Sequence, residues 1–247
     1  MGRAGPAEGE RFYRAAMRRP GLAAFRVRHR ETDLHVQAER PVPEAVSRWI
    51  IEARTGIETY ARRRPGFVEA LEPWPEDPFA PPVVREMIRA GAAAGVGPMA
   101  AVAGAIAEYV GRRLREETGG EVIVENGGDL FVWTHGPATA KVWAGDSPFS
   151  GRVGLRLAPA KMPLGLCTSS GRIGHSRSFG RAHAVTVAAP VAALADAAAT
   201  AAANCVAGPA DVDAALALLQ RIPGVSGGLV IVGRRLGAWG DIELAPI

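Results

Sequence analysis

Apolar and polar positions alternate from Phe25 to His29 and again from Leu34 to Ala38, around the charged break Arg30-Glu31-Thr32-Asp33. A period of two with such a break predicts a hairpin with one wet face. From Pro43 the period lengthens: Val46, Trp49, Ile50, Ala53 and Ile57 recur at helical spacing, which predicts a helix to about Arg63. The stretch LEPWPEDPFAPP is too rich in proline for either pattern and reads as an irregular connection. Pro82 opens a second helix, through about Ala94. GVGPMAAVAGAIAEYVGRRLREETGG is a third, bounded by Gly97-Pro98 and Gly119-Gly120. Its first turns hold Ala100, Ala101, Ala103 and Gly104, small enough to admit either a neighbouring helix or a ligand at the helix N-terminus.

Beyond this point strands dominate. Val122–Val124, Leu130–Trp133, Ala140–Trp143, Val153–Arg156, Leu164–Thr168 and Ala184–Val187 carry the β-branched and alternating runs. Ala192–Val206 is apolar almost all round and predicts a buried helix, Asp211–Gln220 an amphipathic one. Leu229–Val232 and Leu236–Ala238 close the chain as a hairpin around Gly233-Arg234-Arg235. Strands joined by short turns between helical segments predict an α+β fold. Residues 1–10 read as disordered and 11–247 as a single domain, divisible into an N-terminal lobe 11–80 and a main lobe 81–247.

Composition narrows the classes. A chain of 247 residues, 48% hydrophobic and 22% charged, can bury a sizeable core. The net charge of +4 rests on 29 basic residues of which only Lys141 and Lys161 are lysines. With so many alanines, that skew reads as coding bias, and no charged tail suggests a nucleic-acid partner. Arg18-Arg19, Arg62-Arg63-Arg64 and Arg234-Arg235 read as solvated faces. The N-terminus has no apolar signal core, and the longest uncharged stretch, Ala90 to Ala107, is broken by Gly91, Gly95, Gly97 and Pro98, so no membrane span is expected. Cys167 and Cys205 lie in apolar runs without a metal-binding spacing, and read as buried, reduced thiols of a cytoplasmic protein.

Three stretches carry candidate chemistry. In EVIVENGGDLFVW, Gly127 and Gly128 suit a two-residue turn, but they also let backbone approach a flat or phosphorylated ligand beside the fixed anion Asp129. In ALADAAATAAANCV, Asp196, Thr200 and Asn204 are spaced four apart and share one helix face. A carboxylate on an otherwise apolar helix costs several kcal/mol unless it finds a partner. An Asp and a Thr one turn apart are hard oxygen donors of the kind Mg²⁺ accepts beside phosphate. The bland alternative is that Asp196 caps a neighbouring loop or pairs with a buried arginine. In LCTSSGRIGHSRSFG, the strand end Thr168-Ser169-Ser170-Gly171 offers hydroxyls and N–H groups to an anion. His175, with Ser176 beside it, is a candidate acid or base, among Arg172, Arg177 and Arg181. His183, entering a strand, is a weaker candidate.

Gly127-Gly128-Asp129, then Thr168-Ser169-Ser170-Gly171, then Ala195-Asp196-Ala197 with Thr200 resemble, in this order, the Gly-Gly-Asp, Thr-Ser-Gly and Asp-Ala-x-x-Thr motifs of the ApbE-like proteins, flavin transferases that split FAD and attach FMN to a threonine of a target protein. The resemblance covers roughly residues 95–247. It implies a T-fold-like α+β architecture with FAD in a cleft and Mg²⁺ at the pyrophosphate. By position, Asp196 and Thr200 would hold the metal, Gly127, Gly128 and Asp129 would line the nucleotide, and Thr168, Ser169, Ser170 and Gly171 would lie near its phosphates. The family's His-x-x-Asp-Pro-x-Thr-Gly stretch is missing: the interval reads RIGHSRSFGRAHAVTV, without Asp or Pro. The expectation is therefore a divergent cytoplasmic branch without a lipoprotein signal. It would act on a small nucleotide cofactor and an acceptor protein, as a monomer or a homodimer. The alternatives are a non-catalytic protein binding a flavin- or pterin-type cofactor, or a cofactor-biosynthesis enzyme using the same cleft.

Overall fold

The computed structural model describes residues 12–170 and 180–247. The expected disorder of residues 1–10, and Gly171, Arg172, His175, Ser176 and Arg177, lie outside the described residues. Eleven strands and five α-helices follow one another in the described chain. They are β1 (Ala23–His29), β2 (Thr32–Ala38), α1 (Pro43–Arg63), α2 (Pro82–Ala94), α3 (Val102–Thr118), β3 (Val122–Asn126), β4 (Asp129–Trp133), β5 (Ala138–Lys141), β6 (Val153–Leu157), β7 (Leu164–Ser169), β8 (Ala184–Ala189), α4 (Ala192–Asn204), α5 (Val212–Arg221), β9 (Gly227–Val232), β10 (Arg235–Gly240) and β11 (Glu243–Pro246). Short 3₁₀ turns lie at Phe12–Ala16 and, before α3, at Pro98–Ala101.

Eight strands form one antiparallel sheet in the order β1-β2-β3-β4-β7-β8-β9-β10, and β11-β6-β5 form a second, three-stranded sheet. Strand alternation assigns the two faces of the large sheet. Val122, Val124, Phe131, Cys167, Val185 and Val187 pack with the helices. Ile123, Val132, Leu164, Leu166, Ala184 and Leu229 pack with Val142, Leu155 and Leu157 of the small sheet and its flanking segment. Helices thus cover one face and the small sheet the other. Strands buried on both sides read as continuous apolar runs, as in Val122-Ile123-Val124. Each large side chain withdrawn from water there contributes about 1.5–3 kcal/mol.

The predicted helices appear within a few residues of their expected ends, because proline and glycine punctuate them: Gly95 and Gly119 both end helices in the left-handed conformation. Three expectations are corrected. β2 is buried on both faces rather than wet on one, since the segment before β1 lies over it: the Arg19 amide donates to Gln37 Oε1 at 2.7 Å, and Arg14 to Asp33 Oδ1 at 2.9 Å. Arg19 is accordingly no solvated arginine but pairs with Glu121 at 2.6 Å. Cys205 is exposed, because α4 ends at Asn204 and Cys205 lies just past its last turn, whereas Cys167 is buried; both are free thiols. β11 carried no usable periodicity in four residues. Among the described residues no single helix is long and apolar enough to cross a membrane.

Candidate functional site

The hairpin β3–β4 reverses through Gly127 and Gly128, whose φ angles of +72° and +110° lie where only glycine sits without strain. The turn stands at the rim of a cleft of about 1950 Å³, lined among others by Asn126, Gly127, Gly128, Asp129, Thr168, Ser169, Ser170, Asp196, Thr200 and Asn204. Turn and cleft wall are therefore the same residues. Alternation puts Asn126, Asp129 and Ser169 on the helix side of the sheet, and Glu125, Leu130, Thr168 and Thr186 on the other. All seven line the cleft, so it wraps round the open end of β3, β4, β7 and β8.

On the helix side, α4 brings its polar face to this rim. Asp196, Thr200 and Asn204 all line the cleft, as their four-residue spacing requires. α4 comes in close because it is built of alanine and because a Cβ on Gly104 would run into the Ala192 carbonyl and Asp196 Cβ. The Gly104 amide donates to Asp196 Oδ2 at 2.9 Å. Asp196 thus does accept a neighbouring backbone amide, at a helix start rather than in the loop its bland alternative held, and it does so while lining the cleft. The small-residue start of α3 likewise meets both a helix and the cavity. Glu108 of α3 fixes the start of α4, accepting the Ala192 amide at 2.6 Å.

Asp129 and Asp196 are both buried, with 6% and 9% of their surface exposed, and among the described residues neither has a cationic partner. Burial pushes the Asp196 carboxyl up to about 7, against the opposing pull of the Gly104 and Ala103 amides. Burial, then the nearby charge of Asp196, pushes Asp129 well above the usual carboxylate range, against the opposing pull of the Cys167 thiol and the Thr168 amide. Cys167 feels both acids; its thiol donates to the Ala192 carbonyl at 3.3 Å and is pushed up by burial and by Asp129. Ser169 Oγ is buried and, among the described residues, has no hydrogen-bond partner. Thr168 and Thr186 share a hydrogen bond of 2.9 Å on the opposite face.

Two like charges sharing a buried site, with an unmet hydroxyl beside them, fit a cation and an anionic ligand better than they fit an empty core. The donor set is carboxylate, hydroxyl and amide oxygen, the chemistry of a hard divalent ion. Among the described residues no three His, Cys, Asp or Glu side chains gather as a metal site. Mg²⁺ needs no such gathering, since it keeps water and uses one or two carboxylates.

His183 is held on both ring nitrogens: its Nδ1 accepts the Gly233 amide at 3.0 Å and its Nε2 meets Asp146 at 2.9 Å. Four residues in or behind the cleft wall were not singled out from the sequence: Asn126 and Glu125 line it, Cys167 lies behind it, and Arg14 bonds to Glu125. Cys167 read only as a buried thiol, Asn126 and Glu125 only as turn neighbours, and Arg14 gave no signal. Asn126 was the most findable, because its amide reaches the Ala103 carbonyl at 3.1 Å from the position just before the glycines.

Compared with solved structures, the fold is that of the ApbE flavin transferases. It overlays Pseudomonas stutzeri flavinyl transferase ApbE in its apo form with a TM-score of 0.56, at 15% identity, over 89% of this chain and 94% of that one. With the flavin transferase ApbE from Vibrio cholerae the TM-score is 0.57, at 12% identity, over 89% and 97%. The architecture is thus an ApbE-type α+β fold. The protein family described as "AbpE bacteria" matches residues 14–220, and the chain belongs to that family. Its relatives include a UPF0280 protein of Methanocella arvoryzae, 38% identical over 86% of both chains. Another is a UPF0280 protein of Methanothermobacter thermautotrophicus, 41% identical over 80% of this chain and 78% of its own.

Proposed function

We propose that the protein is a Mg²⁺-dependent enzyme acting at the pyrophosphate of FAD or a closely related nucleotide cofactor, transferring FMN to an acceptor hydroxyl or to water. The observation that carries this reading is the pair of buried carboxylates, Asp129 and Asp196, without a cationic partner among the described residues, beside a glycine turn in a cleft large enough for a dinucleotide. Asp196 and Thr200 would hold the metal, with Asp129 facing them. A bound Mg²⁺ would neutralise charge developing on the departing phosphate. Gly127 and Gly128 present backbone with no side chain in the way, so phosphate or ring can approach closely. Thr168, Ser169, Ser170 and Gly171 supply hydroxyl and amide donors to phosphate oxygens. The acceptor oxygen bonds to the FMN phosphorus, the bond to the AMP phosphate oxygen breaks, and His175 with Ser176 takes the acceptor proton. The donor AMP leaves as the second product.

Incubating the full chain with FAD and MgCl₂ tests this directly. Chromatography should show AMP together with FMN or an FMN-bearing protein, and chelation should stop it. FAD intact after hours with Mg²⁺ present would overturn the reading. A second reading, a flavin- or pterin-binding protein that does no chemistry, is favoured by one observation: the 171–183 interval has no Asp and no Pro where the resembled family has both. It predicts cofactor binding that His175→Ala leaves unchanged.

A further inference from the structure

The segment before β1 has no part in any motif above, yet it reaches the glycine turn through one buried acid. Glu125, 1% exposed, lies on β3 three residues before Gly128, on the sheet face opposite Asp129. Its Oε1 accepts the Gly128 amide at 2.9 Å and the Tyr13 hydroxyl at 2.8 Å. Its Oε2 accepts Arg14 Nε at 2.6 Å. Arg14 is anchored in turn on β2, to Asp33 Oδ1 at 2.9 Å and the Asp33 carbonyl at 2.6 Å. Arg26 of β1 closes the network on Asp33 at 2.7 Å.

A two-residue glycine turn is the least constrained backbone in the hairpin, because glycine loses the most freedom on ordering. Gly128, at φ +110°, lies against the Thr168 carbonyl, and Asp129 is the next residue. Whatever fixes the Gly128 amide therefore fixes the approach of Asp129 to the cleft. A carboxylate acceptor makes that bond charge-assisted and short. Arg14 lies against its other oxygen and holds the side chain in that orientation. We propose that Glu125 is a positioning residue for the Gly127-Gly128-Asp129 turn, held and aimed by Arg14 and Tyr13. The N-terminal segment is thereby part of the cleft's machinery rather than an appendage. The functional half of this claim rests on the nucleotide reading above; the structural half does not.

Two measurements on the full chain separate those halves, comparing wild type with Glu125→Ala and Glu125→Gln at equal folded fraction. Glutamine keeps a carbonyl oxygen for the Gly128 amide; alanine keeps none. Amide hydrogen exchange without ligand should quicken at least tenfold at residues 127–130 in Glu125→Ala. It should stay within about threefold of wild type in Glu125→Gln, with residues 164–169 unchanged in both. Exchange at 127–130 that is unaltered in Glu125→Ala, or that rises equally across 164–169, would overturn the proposal. FAD titration with Mg²⁺, followed by flavin fluorescence, should then show a Kd raised tenfold or more in Glu125→Ala and largely restored in Glu125→Gln. A loosened turn with an unchanged Kd would overturn the positioning role. Wild-type protein that binds no FAD would sink the nucleotide reading and leave the exchange result to decide the rest.

Discussion

Glu125 and Asp129 flank the same two-residue turn, and each is more than nine-tenths buried, but they face opposite sides of one sheet. On Glu125's side the fold supplies Arg14, a tyrosine hydroxyl and a backbone amide. On Asp129's side it supplies a second acid, Asp196, and among the described residues no cation. The first arrangement is a strut, whose charge is answered within the chain. The second is the candidate site: two buried carboxylates with no counter-charge among the described residues are tolerable when protonated or when a cation arrives from outside. Burial alone does not distinguish the two; the partner does.

The largest test of this contrast is on the site side. Asp196→Asn keeps an oxygen for the Gly104 amide but removes the charge. We expect Mg²⁺-dependent FAD turnover to fall on the order of 10³-fold. The melting temperature of the metal-free protein should hold or rise, since a buried repulsion is relieved. Mg²⁺ should raise the melting temperature of wild type and not of the variant. A metal-free variant that melts well below wild type would make Asp196 a strut after all.

On the strut side the sign reverses. Arg14→Ala leaves the Glu125 charge buried without its cation, and should cost about 3 kcal/mol in denaturant unfolding. If stability is unmoved, the two sides of the turn do not differ as described.

The smallest effect is a control from a second paired acid. The Arg19 guanidinium, aided by the His135 and Gly136 amides, holds the Glu121 carboxyl down at about 2. Its folded value lies below its ordinary 4.5, so the stability it contributes is fully present above that range and is lost as pH falls from 4.5 towards 2. For a pair this close to the surface the loss should be about 1 kcal/mol. Urea melts at pH 5 and pH 2.5 should show it, and Arg19→Ala should flatten the difference.

How much of this was readable along the chain depends on the distance over which each feature is decided. Gly127-Gly128 between two β-branched runs announced both a turn and a ligand's opportunity, because the φ angles that a tight reversal needs belong to glycine. Asp196, Thr200 and Asn204 could be placed on one face because helix geometry is periodic. Proline and glycine marked the ends of α1, α2 and α3 closely. By contrast, the predicted wet face of β2 failed because the segment that covers it lies outside any period. Cys205 is exposed against expectation because it caps the end of α4, where the apolar run no longer reports which residues face the core.

The chain by itself therefore indicated most of the elements, the faces of the helices and three short motifs, since backbone sterics and hydrophobic period act over a few residues. Only the tertiary structure decided that β4 lies beside β7 and α4 against α3, which sets Asp129, Cys167 and Asp196 together. It also decided that Arg14 reaches Glu125. Those pairings come from closing layers over a shared core. The charges they join leave no mark on the local pattern, because a buried acid looks the same in sequence whether its partner is an arginine or another acid.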